Sequence, residues 1–208
     1  MAERLTCYQA EKPLVLGLPR GGVSVAYEVA RALQAPLDVW VVRKVGVPRF
    51  PELGLGAVAE GGIVYLNRDT MRQVGVEEDE VEGIVPLKAA EVAERVQLFR
   101  GDRPAPQLTG RTVLMVDDGI ATGATVRASL QALQATHPGK VVLAVPVAAT
   151  QSLVELRSLV DDIVCLMSTP RLHAVGAWYE DFTQVSDHEV LRLLELAAQT
   201  GPCQNGNG

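Results

Sequence analysis

The chain is 208 residues long, 48% hydrophobic but only 4% aromatic, with a formal net charge of −6. That length accommodates one domain with a substantial core, and the acidic balance argues against nucleic acid as a partner, which needs clustered Lys and Arg. No apolar run is long enough to span a membrane and no segment reads as a leader. Cys7, Cys165 and Cys203 lack metal or redox spacing, so a cytoplasmic protein without a membrane partner is expected.

Leu14-Val15-Leu16-Gly17 reads as a short buried strand, and a helix follows with Val23, Ala26, Tyr27, Ala30 and Leu33 on one face. Between them lies Pro19-Arg20-Gly21-Gly22. The glycines let backbone approach a ligand closely, and the forked donors of Arg20 can grip phosphate oxygens. Residues 37–42 predict the next strand, which would put Arg43 and Lys44 at its carboxyl end, the edge where open α/β sheets bind ligands. Residues 45–55, punctuated by Gly46, Pro48, Pro51 and Gly54, read as a loop. Residues 56–66 read as a hairpin turning at Glu60-Gly61-Gly62.

Residues 77–82 form an acidic helix start that Pro86 should interrupt, before an apolar helical stripe of Ala89, Val92, Ala93, Val96 and Phe99. Residues 102–110 connect back to the sheet. Beyond residue 125, strands are expected at 140–147 and 162–166, with a helix capped by Thr150 running to Leu159 between them. Residues 168–171 read as a turn and 172–176 as strand-like, and Trp178, Tyr179 and Phe182 then cluster. The last helix opens on a capping box, Ser186-x-x-Glu189, and buries Val190, Leu193, Leu194 and Ala197. Strand–helix alternation implies an α/β fold, a doubly wound and mostly parallel sheet flanked by helices.

The densest signal is residues 113–125. Val113-Leu114-Met115-Val116 is a strand buried on both faces, followed by Asp117-Asp118 at its carboxyl end. The loop Ala121-Thr122-Gly123-Ala124-Thr125 then leads into a helix carrying Val126, Leu130 and Leu133. Small residues at a helix start turn several N–H groups toward one point, which makes a phosphate site, and the two Thr hydroxyls add donors. No Gly-Lys-Ser/Thr closes the loop, so a Walker-type nucleotide site is excluded.

This stretch resembles the phosphoribosyl pyrophosphate (PRPP) motif of type I phosphoribosyltransferases: hydrophobic strand, two acids, two small or apolar residues, then Thr-Gly-x-Thr. The resemblance implies that Asp117 and Asp118 hold the ribose hydroxyls and that residues 121–125 hold the 5-phosphate. It further implies that Pro19 to Gly22 with Arg43 and Lys44 hold the diphosphate, with a cis Pro19–Arg20 peptide, and that Arg20 and Lys44 serve catalysis. Mg²⁺ would ride on the diphosphate, through water to Asp117 or Asp118 at most. Residues 45–55 match the family's mobile lid, and residues 168–185 its hood, with an N-terminal contribution. On that match His173, Trp178, Tyr179 and Glu180 form the base site.

The implied activity is transfer of 5-phosphoribosyl from PRPP to a purine or related base in nucleotide salvage, by a homo-oligomer, a dimer by resemblance. Two departures stand out. The helical insertion at about 67–110 exceeds the compact family pattern, and Ala121 replaces the Asp of hypoxanthine-type members. The competing class is a regulatory protein that senses PRPP without turnover; Arg20 and Arg43-Lys44 favour the enzyme. One domain is expected over residues 1–200, with a disordered tail at 201–208.

Overall fold

Leu14–Gly17 (β1), Leu37–Val39 (β2), Thr112–Val116 (β6), Lys140–Ala149 (β7) and Asp162–Thr169 (β8) pair in parallel, in the order β2-β1-β6-β7-β8. The computed structural model describes residues 1–47, 50–77, 80–81 and 83–200. The register sets Leu14 beside Val113 and Gly17 beside Val116. Side chains alternate along each strand, so Val15, Leu114, Val116 and Val142 enter one core and Leu16, Val113, Met115 and Leu143 the other. Helices Gly21–Leu33 (α2) and Asp187–Thr200 (α7) cover the first face, with the short helix Ala2–Leu5 (α1) packed on α2, and Ala124–Gln134 (α5) covers the second. Coverage of both faces explains why residues 14–16, 113–116 and 141–145 are apolar throughout rather than alternating.

Val42–Val47 (β3), Phe50–Ala59 (β4) and Ile63–Leu66 (β5) form a separate antiparallel sheet that packs on α5. The expected strand at 37–42 is therefore two strands in two sheets. Trp40, 1% exposed, donates its backbone N–H to the Gly17 carbonyl and its indole Nε1–H to the Ser129 carbonyl of α5. With that ring fixed under α5, the chain leaves the parallel sheet. Pro48 and Arg49 lie outside the described residues, and the rest of 45–55 is strand rather than loop, because β3 and β4 pair through it with register shifts between Val45 and Val47. The β4–β5 hairpin stands as read, turning with Gly61 at φ 73° and Gly62 at φ 75°.

The insertion supplies Arg68–Val74 (α3) and Ile84–Arg100 (α4), while the acidic stretch at 77–82 lies partly outside the described residues. Pro86 does not interrupt a helix; it stands in the first turn of α4, where no N–H partner is lost. Arg100, at the end of α4, is 5% exposed; its fork reaches Asp38 of β2 (3.1 Å), Glu60 (2.8 Å) and the Val39 carbonyl (3.2 Å). Those bonds rivet α4 to both sheets.

Thr150 begins helix Thr150–Leu156 (α6) rather than capping it; Ala149 is the cap position and no side chain bonds there. Residues 168 and 169 extend β8 instead of turning, and 172–176 form no strand. That segment folds back over the carboxyl ends of the sheet, with a 3₁₀ turn at Val175–Trp178. Ser186 caps α7 by accepting from the Glu189 N–H (3.1 Å), although the Glu189 carboxylate turns to Arg192 instead of completing the box. Cys7 and Cys165 are unpaired, and Cys203 and the expected tail lie outside the described residues.

Candidate active site

The carboxyl ends of β1 and β6 are neighbours, so the loops that follow them meet. Leu18 N–H donates to the Val116 carbonyl (2.9 Å), which lays residues 18–22 along Asp117 and Asp118. A Cβ on Gly21 would stand 1.8 Å from Asp118 Oδ2, and one on Gly22 would stand 2.8 Å from the Val116 carbonyl oxygen. Only glycine permits that approach. The Pro19–Arg20 peptide is cis, as expected, and α2 starts at Gly21.

Asp118 N–H donates to Asp117 Oδ1 (2.9 Å), and among the described residues neither carboxylate has a cationic partner. Burial, reinforced by the charge of Asp118, raises the Asp117 carboxyl well above the usual Asp range. Burial also raises Asp118, although hydrogen bonds from Asp117 and the backbone pull the other way. A desolvated acid pair without a counter-charge favours whatever positive charge or hydroxyl donor enters.

The loop after the pair is built onto the sheet. Ile120 N–H donates to Val147 (3.0 Å), Ala149 N–H donates to Ile120 (2.8 Å), and Ser152 Oγ–H donates to the Ala121 carbonyl (2.7 Å). Gly123 turns at φ 73° into α5, with Ala121 and Ala124 half-buried and Thr122 and Thr125 exposed at the opening. The first-turn amides of α5 emerge here with the positive end of its dipole.

The cations are arranged differently from the sequence expectation. Arg43 and Lys44 lie within antiparallel β3, not at the end of a parallel strand, and successive strand residues point to opposite faces. Arg43 Nε–H donates to Glu91 of α4 (3.2 Å) and lines a recess with Pro19, Thr125, Arg95 and Phe99; Lys44 does not line it. Arg20 faces Asp187 of α7 at 3.9 Å.

Of the four expected base-site residues, Tyr179 alone reaches the acid pair. Its hydroxyl donates to the Asp118 carbonyl (2.5 Å), and burial together with the two Asp charges pushes its phenol up to about 12. Val175 packs on Gly119, where an added Cβ would come within 2.5 Å of its Cγ1. His173, Trp178 and Glu180, from the same segment, are exposed.

The phosphoribosyl transferase domain model matches residues 1–180. This chain belongs to the phosphoribosyl transferase family. It is 45% identical over 197 residues to two Mycobacterium tuberculosis proteins, "Putative phosphoribosyl transferase MT0597" (strain CDC 1551 / Oshkosh) and "Putative phosphoribosyl transferase Rv0571c" (strain H37Rv). The match covers 95% of this chain and 44% of each relative, so the chain spans less than half their length. It also superposes on the crystal structure of TT1426 from Thermus thermophilus with a TM-score of 0.86 and 42% identity, covering 93% of this chain and 91% of that one.

Within this phosphoribosyl transferase fold, Arg95, Asp187 and Ser152 are site-lining or site-bracing residues that sequence reasoning missed. Arg95 had a signal, since a charged residue stands between Val92, Val96 and Phe99 on an apolar helical stripe. Asp187 had none beyond following a capping Ser. Among the described residues no group of three or more His, Cys, Asp or Glu could hold a metal. The Asp117-Asp118 pair suits a hard cation that keeps its waters and takes most ligands from a substrate phosphate. No helix of the described residues is long and apolar enough to cross a membrane.

Proposed function

We propose that this protein transfers 5-phosphoribosyl from PRPP to an acceptor base and releases diphosphate. One observation supports it most: the Arg20 loop and the 117–125 loop abut at Gly21 and Asp118. A cationic loop, an acid pair and a helix-start phosphate nest thus share one rim. A pentose carrying phosphate at one end and diphosphate at the other spans such a rim.

In this reading the amides and hydroxyls of residues 121–125 hold the 5-phosphate, and Asp117 and Asp118 accept hydrogen bonds from the ribose hydroxyls. The bond from the anomeric carbon to the diphosphate oxygen breaks, and its electron pair leaves with the diphosphate. A ring nitrogen of the base bonds to the same carbon and gives up its proton, which the released diphosphate can accept. Arg20 and the loop amides of residues 20–22 neutralise the leaving charge, with Arg43 beside them. The nearby carboxylates favour the positive charge that develops on the ribose. Magnesium, when bound, neutralises diphosphate charge, and Asp117 or Asp118 would meet it through water. Strands β3 and β4 are the lid that keeps water from the reacting carbon.

The acceptor is a purine or related base, received beneath residues 168–185. Ala121 offers no carboxylate to a purine nitrogen, which disfavours the hypoxanthine and guanine class. Incubation with PRPP, Mg²⁺ and a panel of nucleobases, followed by diphosphate release, tests the proposal. Release with one base is expected; tight PRPP binding without release for any base would make the protein a PRPP sensor instead.

A further inference from the structure

Helix α4 belongs to the insertion, yet one of its faces walls the recess beside the Arg20 loop. Glu91, Arg95 and Phe99 follow at four-residue spacing, which stacks them on one side of the helix. Glu91 accepts from Arg43 (3.2 Å) and from Lys88 (2.6 Å). The Arg95 guanidinium lies over the Phe99 ring, 5.2 Å from its centroid, and its Nη1 donates to Asp187 Oδ2 (2.7 Å). Five residues further on, the buried Arg100 fork fixes the rotation and height of α4, so Arg95 is delivered to the recess from a rigid element.

Asp187 is the feature that needs explaining. One of its oxygens is taken by Arg95, while Oδ1, the shielded atom of a side chain that is 37% exposed, has no hydrogen-bond partner among the described residues and faces Arg20 Nη1 at 3.9 Å. A single carboxylate thus lies between two guanidiniums and bonds only one of them. It is too short to satisfy both forks, whereas a diphosphate has two charged groups that can each meet a planar fork. Pro19 and Thr125 border the same recess, so an anion there would touch both loops already assigned to the donor.

We propose that Arg95 is a further diphosphate-binding residue, and that the Asp187 carboxylate is a resident anion which the diphosphate displaces from between Arg20 and Arg95. The proposal rests on the phosphoribosyltransferase reading and extends it. It gives the insertion a task, since α4 carries a cation to the leaving group that no βα loop of the sheet supplies.

Calorimetric titration of the full chain with inorganic diphosphate and, separately, ribose 5-phosphate, both with Mg²⁺, tests it. Arg95→Gln should weaken diphosphate by roughly ten- to a hundredfold, as loss of a charged hydrogen bond does. Ribose 5-phosphate should bind Arg95→Gln as it binds the wild type, which also shows that the variant is folded. Asp187→Asn should tighten diphosphate several-fold. Wild-type diphosphate affinity in Arg95→Gln, with loss in Arg20→Ala, would overturn the role of Arg95 and leave the proposed activity standing. Weaker diphosphate binding in Asp187→Asn would overturn displacement, making Asp187 a residue that positions the arginines. Failure of the wild type to bind either ligand would remove the proposed activity itself, and Arg95's role with it.

Discussion

Asp38 with Glu60, both buried, and Asp117 with Asp118, both half-buried, are pairs of carboxylates treated in opposite ways. Asp38 and Glu60 share the fork of Arg100, with both Glu60 oxygens and both Asp38 oxygens bonded. Asp117 and Asp118 have each other, backbone donors and no cation among the described residues. Burial pushes Glu60 and Asp117 upward alike, but Arg100 pulls Glu60 back whereas Asp118 drives Asp117 further. The first pair is complete within the fold. The second lies at a strand's carboxyl end with its charge unanswered, which is how a site built for an incoming ligand differs from a brace.

The sharpest way to break this contrast is to remove the brace's cation. Arg100→Ala leaves two buried carboxylates uncompensated and should lower stability by about 3–5 kcal/mol in urea unfolding. A loss below about 1 kcal/mol would mean that water reaches Asp38 and Glu60, and the contrast would fail. Arg20 is the complementary cation, close to the second pair yet bound to neither of its members. Arg20→Ala should therefore hardly change stability, while turnover falls by about 10²–10³-fold, as when one donor to a developing negative charge is lost. Unchanged ribose 5-phosphate binding in that variant would localise the defect to the leaving group; equal loss of both would remove Arg20 from that role.

The same contrast explains what could be read in advance. Asp117 and Asp118 are adjacent in sequence, behind an apolar strand and before a Gly-Thr loop, so their place at a sheet edge follows from local pattern. The Arg20 loop was legible for the same reason. Arg100, Glu60 and Asp38 are 40 and 62 residues apart and meet only in the tertiary fold. So do Arg95 and Asp187, 92 residues apart. The chain's exit from the parallel sheet at Trp40 was hidden too, because apolar residues run unbroken through 39–42 and only the ring's burial under α5 divides them. The described part of 45–55 misled because Gly46, Pro51 and Gly54 signal turns, whereas β3 and β4 carry all three, with register shifts beside Gly46. The arrangement of the expected base-site residues was hidden for a related reason. A cluster of aromatics does not specify which ring turns inward, and Tyr179 spends its hydroxyl on the Asp118 carbonyl.

The smallest effect discriminates most finely. Asp117→Asn preserves shape and keeps an oxygen for the Asp118 N–H, but removes an acid whose ionisation the folded protein opposes. In the unfolded chain Asp117 gives up its proton near the ordinary Asp value of about 3.9, whereas in the folded chain it does so at higher pH. Over that interval the folded state holds the extra proton, so wild-type stability falls as pH rises through it. At about pH 3 and below both states are largely protonated, and the variant should match the wild type. Toward neutral pH the variant should become more stable by about 0.5–2 kcal/mol while losing PRPP affinity, the usual trade where a site is tuned for a ligand rather than for folding. Paired urea titrations at pH 3 and pH 7 decide it: a variant less stable than wild type at pH 7 would show that Asp117, like Glu60, already has its counter-charge within the fold.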